Sequence, residues 1–186
     1  MSTQSYEQAV ATTRDVLQGV SPDQLDAATP CASWKMRDLV NHVIDGQGFF
    51  RAMIAGEAPE VSGKDHTEGD FLASYDAETS ATLACFQEEG ALQRTVTAPW
   101  GAEMPGMAVL GLATTDTFTH GWDMAKASGQ STDLAPELAT GILGASRQMI
   151  QDNFRGPEGA PFGVEAEAPE GATAADQLAA FLGRQV

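Results

Sequence analysis

The sequence predicts an all-α fold, an antiparallel four-helix bundle with one long crossover loop and additional C-terminal helices. Three observations predict it. Apolar residues recur at the three- and four-residue spacing of an amphipathic helix in six separate stretches. Most connectors between those stretches are short and carry glycine or proline. One longer interval, residues 92–106, holds Val96, Pro99, Trp100, Gly101, Pro105 and Gly106; it cannot be a regular helix and reads as an ordered crossing loop with a short extended piece.

Taken in order, Tyr6, Ala9, Val10, Thr13, Leu17 and Val20 set the first helix over 4–19, which Gly19 and Ser21-Pro22 end. Residues 21–24 read as one further helical turn, and Thr29-Pro30-Cys31-Ala32 as a loop that delivers Ser33 as an N-cap. The second helix runs over 34–55 on Leu39, Val40, Val43, Phe49, Phe50 and Met53, closed by Gly56 and Pro59. Residues 64–69 are polar and turn-like, so His66 reads as an exposed loop histidine. Phe71, Leu72, Tyr75, Thr79, Leu83 and Phe86 mark the third helix, which ends at Gly90.

Beyond the crossing loop, the fourth helix begins near Met107, carries Val109, Leu112, Ala113, Asp116, His120, Met124 and Ala127, and stops at Ser128-Gly129. The fifth spans Pro136 to Asn153, with proline at a tolerated first position and Leu138, Ile142, Leu143 and Ile150 inward. A Gly/Pro/Glu-rich connector over 156–171 leads to a last helix over 172–183, with Ala175, Leu178, Ala179 and Leu182 on one side. A single domain over 1–186 is expected, its core bundle at about 4–129 and its C-terminal helices at about 134–184.

Ten basic against 26 acidic residues give a formal charge of -16, which repels nucleic acid and anionic membranes; neither is an expected partner. No apolar run is long enough to span a bilayer and the first residues lack the pattern of a signal peptide, so the expected location is the cytoplasm. Cys31 and Cys85 do not make a disulfide framework. Cys31 has no histidine beside it in sequence and reads as a packed thiol rather than a nucleophile. Trp34 and Trp100 read as packing anchors, Trp100 being placed to roof a pocket.

Chemistry concentrates in Asp116-Thr-Phe-Thr-His120-Gly-Trp-Asp123. On a helix, Asp116 and His120 project side by side, at the spacing two metal ligands on one helix need. Val109, Ala113, Asp116, His120 and Ala127 fall within roughly 40° of one another, so the pair sits in an apolar stripe. His42 shares a face with Leu39, Gly46, Phe49 and Met53 on the second helix. A buried unpaired carboxylate is costly. Two arrangements remove the cost: a divalent cation held by His42, Asp116 and His120, with Gly46 and Ala113 leaving room, or a buried Asp-His hydrogen bond with His42 satisfied elsewhere. Asp123 lies near the edge of the same face, as an orienting group, a weak general-base candidate or a solvated carboxylate.

Four motifs in this order, residues 29–42, Ala98-Pro99-Trp100-Gly101-Ala-Glu103-Met-Pro105-Gly106, Asp116 to Ala125, and the terminal Leu178-Ala-Ala-Phe-Leu182-Gly183-Arg184, resemble the actinobacterial metal-binding proteins of the mycothiol-dependent maleylpyruvate isomerase, or DinB-like, superfamily. The resemblance implies a DinB-like four-helix bundle whose metal is held by His42, Asp116 and His120. Asp116 stands where the isomerase-like members have Glu, a shorter reach. The isomerase has a further C-terminal domain that helps to bind its substrate, and this chain stops near Val186. The expected function is a metal-dependent enzyme with a small-molecule substrate, acting in transfer or isomerisation. Zinc is the first metal, with nickel, iron or manganese open. Mycothiol is the cosubstrate the resemblance suggests, Asp123 the catalytic candidate, and a homodimer the assembly allowed for. The alternative is a non-catalytic metal- or ligand-binding bundle.

Overall fold

The computed structural model describes residues 2–31, 33–59, 62–157, 160 and 162–186. Helices α1 (Thr3–Gln18), α2 (Met36–Ala55), α3 (Phe71–Gln87) and α4 (Gly106–Ser128) form the bundle. Within it α1 packs against α4 and α3, and α2 against α3 and α4. Helix α5 (Pro136–Met149) lies on α6 (Ala174–Phe181) and reaches α1, while α6 closes on α4. The expected all-α class holds, with one small exception in the crossover. There β1 (Thr95–Thr97) and β2 (Glu103–Pro105) pair antiparallel, Val96 opposite Met104.

Two cores fill the bundle. Val16, Leu17, Met36, Leu39, Val43 and Met124 cluster at one end, and Tyr6, Met53, Ile54, Phe86, Val109 and Leu110 at the other. A third core, built on Phe118, Trp122, Leu138, Ile142 and Leu178, seals α5 and α6 to α1 and α4. A buried polar chain crosses the bundle where the site sits. Tyr6 donates to Gln47 Oε1, Gln47 Nε2 donates to Thr117 Oγ1 at 3.1 Å, and Thr82 donates to the Gln47 carbonyl at 2.9 Å. Every member has a partner, so the network fixes the mutual register of α1, α2, α3 and α4 without an uncompensated desolvation cost.

Several helix ends differ from the sequence expectation for tertiary reasons. Helix α2 starts at Met36, with Lys35 rather than Ser33 as N-cap. Residues 34–35 stay extended because Met36 N–H donates to the Ala27 carbonyl and Arg37 N–H to that of Leu25, both at 2.9 Å. Asp38 then accepts from Lys35 N–H at 2.9 Å. Helix α5 ends at Met149, four residues before the expected Asn153, where Ile150 turns extended. Helix α6 is shorter than 172–183, because Thr173 caps its start by accepting from Asp176 N–H.

The approach of α1 to α4 depends on one glycine. A Cβ added at Gly121 would lie 2.4 Å from Thr13 Oγ1 and 3.3 Å from Thr13 Cα. Thr13 itself donates to the Thr117 carbonyl at 2.9 Å and cannot move away freely. Gly121→Ala should therefore cost about 1–3 kcal/mol through overpacking. A lowered denaturant midpoint at unchanged slope would report this. An unchanged midpoint would show that the two helices have room to spare.

Candidate metal centre

Helix α2 carries His42 and helix α4 carries Asp116 and His120, and the packing of the two helices brings the three together. His42 Nε2 lies 3.6 Å and His120 Nε2 3.5 Å from Asp116 Oδ1. All three donor groups fall within 4.8 Å of one another. Those separations are long for hydrogen bonds. They match the spacing, about 3.4 Å, of donors arranged tetrahedrally around a cation at about 2.1 Å. Two atoms of the set, His42 Nε2 and Asp116 Oδ2, are buried without a hydrogen-bond partner among the described residues. Buried polar atoms are rarely left so. A divalent cation would take the lone pair of His42 Nε2 and neutralise the Asp116 carboxylate, and the donor set fits it. The alternative, a buried Asp-His hydrogen bond with His42 satisfied elsewhere, needs a partner for His42 Nε2, and none is found among the described residues.

The surroundings orient the set. The indole of Trp34 lies over His42 with ring centres 4.5 Å apart, and the two imidazoles meet edge to face at 4.7 Å. Gly46 leaves space beside Asp116 Oδ2, where even a methyl would come to 3.6 Å. Burial pushes the Asp116 carboxyl up, but the charges and contacts of His120 and His42 outweigh it and hold the group far below the usual carboxylate range. For His120 burial acts downward, and the charge of Asp116 with contacts to Asp116, Asp123 and Cys31 lifts it well above its ordinary value in the metal-free chain. The site thus collects negative charge that a proton or a cation must meet.

Asp123 is fully buried, which corrects the solvated alternative. Its Oδ2 lies 3.0 Å from His120 Nδ1 and 3.0 Å from Arg184 Nη2, and Arg184 Nε donates to Oδ1 at 3.2 Å. A carboxylate on Nδ1 fixes the imidazole so that Nε2 presents its lone pair to the centre. Cys31 completes the cluster with Sγ 3.3 Å from Asp123 Oδ2 and 4.0 Å from His120 Nδ1, so the thiol does have a histidine partner, one far away in sequence. Arg184 is the residue sequence reasoning did not assign. Its delivery depends on Gly183, at φ 94°, where a Cβ would meet Gly163 Cα at 2.6 Å.

His66 was expected on the surface and is instead buried, 6% exposed, with Nε2 3.1 Å from Asp45 Oδ1. The turn around it docks on α2 because Asn41 Oδ1 accepts from His66 N–H at 2.8 Å. His66 takes no part in the three-residue donor set. Trp100 is 60% exposed rather than a packing anchor, and it does line a cleft.

Two clefts meet at Asp116. One, of about 320 Å³, has Asp116, Thr119, His120 and Arg184 at its polar end, with Trp100 and Phe162 in its wall. The other, of about 300 Å³, holds His42, Asp45, Gly46 and Asp116 with Phe49 and Phe50. The two clefts also share Phe49 and Phe50, and between them they are lined by all three residues of the donor set.

Fold and site define the class: a DinB-like helical bundle with two imidazoles and a carboxylate grouped where two clefts share Asp116. The chain belongs to the family described as mycothiol maleylpyruvate isomerase N-terminal domain, which residues 6–125 match. Two uncharacterised proteins of Mycobacterium tuberculosis, from strains H37Rv and CDC 1551, are each 41% identical over 171 residues, covering 92% of this chain and 91% of their own. Among solved structures, the mycothiol-dependent maleylpyruvate isomerase superposes with a TM-score of 0.60 at 14% identity, over 77% of this chain and 67% of its own. A histidine-to-alanine variant of that enzyme gives 0.62 at 15% identity. A DinB-like protein of Bacillus subtilis gives 0.55 at 20%, over 68% of this chain and 89% of its own. At these identities the structures speak for the fold. Among the described residues no helix is long and apolar enough to cross a membrane.

Proposed function

We propose that this protein is a divalent-metal-dependent enzyme of the cytoplasm, one domain over 1–186, that uses a low-molecular-weight thiol of the mycothiol type in a transfer or isomerisation. His42, Asp116 and His120 are the proposed ligands. The carrying observation is the pair of buried, unpartnered atoms, His42 Nε2 and Asp116 Oδ2, beside His120 Nε2, which lies 3.5 Å from Asp116 Oδ1, in a chain of this family. Zinc is the first candidate; nickel, iron and manganese use the same donors. When bound there, the cation supplies Lewis acidity, lowering the pKa of a thiol or water or polarising a carbonyl.

The chain's own residues supply position. Asp123 was named above as the catalytic candidate. Saturated by Arg184, His120 and Cys31 and closed to solvent, it acts in this reading as the group that orients His120. Trp34 holds the plane of His42. Two clefts of about 300 Å³ that share Asp116, Phe49 and Phe50 give room for a thiol and a second substrate beside the donor set.

The test replaces the native metal with cobalt and adds mycothiol or a simple thiol. A sulfur-to-cobalt charge-transfer band is expected, and His120→Ala should lack it. No spectral change at millimolar thiol would remove the thiol from this reading and favour a non-catalytic metal- or ligand-binding bundle.

A further inference from the structure

On α2, Asp45 follows His42 by three residues, so the two share a face of the helix. Asp45 lines the second cleft together with His42, Gly46 and Asp116. Its two hydrogen-bond partners take the same oxygen: Ser62 Oγ donates to Oδ1 at 2.7 Å, and His66 Nε2 lies 3.1 Å from it. Among the described residues Oδ2 has no hydrogen bond. His66 is nine-tenths buried and its Nδ1 has no partner among the described residues. That favours the tautomer with its proton on Nε2, so the ring donates to Asp45.

A docking role explains why Ser62 and His66 bind α2. It leaves unexplained a carboxylate with one oxygen spare in the wall of the cleft that holds two of the three metal-ligand candidates. Asp123 cannot serve a substrate there, being fully buried with both oxygens engaged. Asp45, half-exposed and half-satisfied, has the features a general base needs, a fixed orientation and a free acceptor.

We infer that Asp45 is the proton acceptor of this cleft, with His66 as its positioning residue. The inference rests on the thiol reading above. The S–H bond of the incoming thiol breaks, sulfur keeps the electron pair, and the proton passes to Asp45 Oδ2. Sulfur then bonds to the electrophilic carbon of the second substrate. The proton returns from Asp45 to the leaving group or carbanion created by that attack, so no oxidant or reductant is needed.

The test uses the full chain loaded with cobalt and N-acetylcysteine as the probe, mixed at pH 6.5, where a thiol of ordinary pKa near 8.5 arrives protonated. Asp45→Asn keeps an Oδ1 acceptor for Ser62 and His66, so cobalt stoichiometry and Tm should match the wild type. The charge-transfer band should form about 10²-fold more slowly or worse. Formate should restore part of the rate in Asp45→Ala. His66→Ala should slow the band without changing its final amplitude. Equal rates in wild type and Asp45→Asn would overturn the inference. So would loss of cobalt or a lowered Tm in Asp45→Asn, which would make Asp45 a structural anchor. No band in the wild type would remove the thiol reading itself, and this inference with it.

Discussion

His120→Ala and His42→Ala should each abolish stoichiometric metal binding, measured as metal content after purification without chelator. Each removes one of three donors, and none of the described neighbours lies in the same set to replace it. Asp116 would then face a cleft with one imidazole instead of two. Asp123→Asn is the graded control. It withdraws the charge behind His120 Nδ1, 3.0 Å away, together with the counter-charge of Arg184, and outer partners of this kind are worth about 10–100-fold in metal affinity. His66→Ala should bind metal normally, since His66 pairs with Asp45 and lies outside the donor set. Full metal content in either ligand variant would sink the assignment of this centre.

Truncating the buried ion pair at the C-terminus should cause the largest loss of stability. Asp123 is fully buried and Arg184 is 17% exposed, joined by two hydrogen bonds at 3.2 and 3.0 Å. Asp123→Ala leaves the Arg184 charge without its partner, at about 3–5 kcal/mol, and Arg184→Ala should cost less, because Asp123 keeps His120 at 3.0 Å. In a chain of this size each kcal/mol lowers Tm by about 2–4 °C. The double variant should lose less than the sum of the two, because neither charge is then stranded. Strict additivity would show that the pair does not interact.

The pH dependence follows from the same contact. Burial pushes the Asp123 carboxyl up, yet the His120 hydrogen bond and the Arg184 charge outweigh it and leave the pKa lowered. A lowered folded-state value means that the unfolded chain binds the proton more readily. Stabilisation from Asp123 is therefore complete above the unfolded carboxylate pKa, about 3.9, and is lost as pH falls through the folded value. Urea titrations of the metal-free protein from neutral to acid pH should show this loss in the wild type and much less of it in Asp123→Ala.

Helix periodicity carried most of the fold. The apolar spacing in 4–19, 34–55, 71–86 and 107–128 reflects faces that each helix must bury, and those faces do form the core. The same periodicity placed His42, Asp116 and His120 inward, because side-chain direction on a helix follows from sequence separation alone. Helix ends were less legible. Ser33 has the chemistry of an N-cap, but the backbone of Leu25 and Ala27 claims the amides of Arg37 and Met36 and starts α2 later. Such a competitor lies outside any local window.

Sequence alone thus determined the helical class, the family pattern and the two helix faces that carry the donor set, since each is written in short-range spacing. Tertiary structure alone decided what surrounds them. Cys31, Asp123 and Arg184 converge from a loop, a helix and the chain terminus, and Arg184 arrives only because Gly183 passes against Gly163. His66 looked exposed because its neighbours in sequence are polar; Asn41 and Asp45 of α2 turn that polarity inward. Burial depends on what packs across from a residue, and for these side chains the opposing groups come from segments remote in sequence.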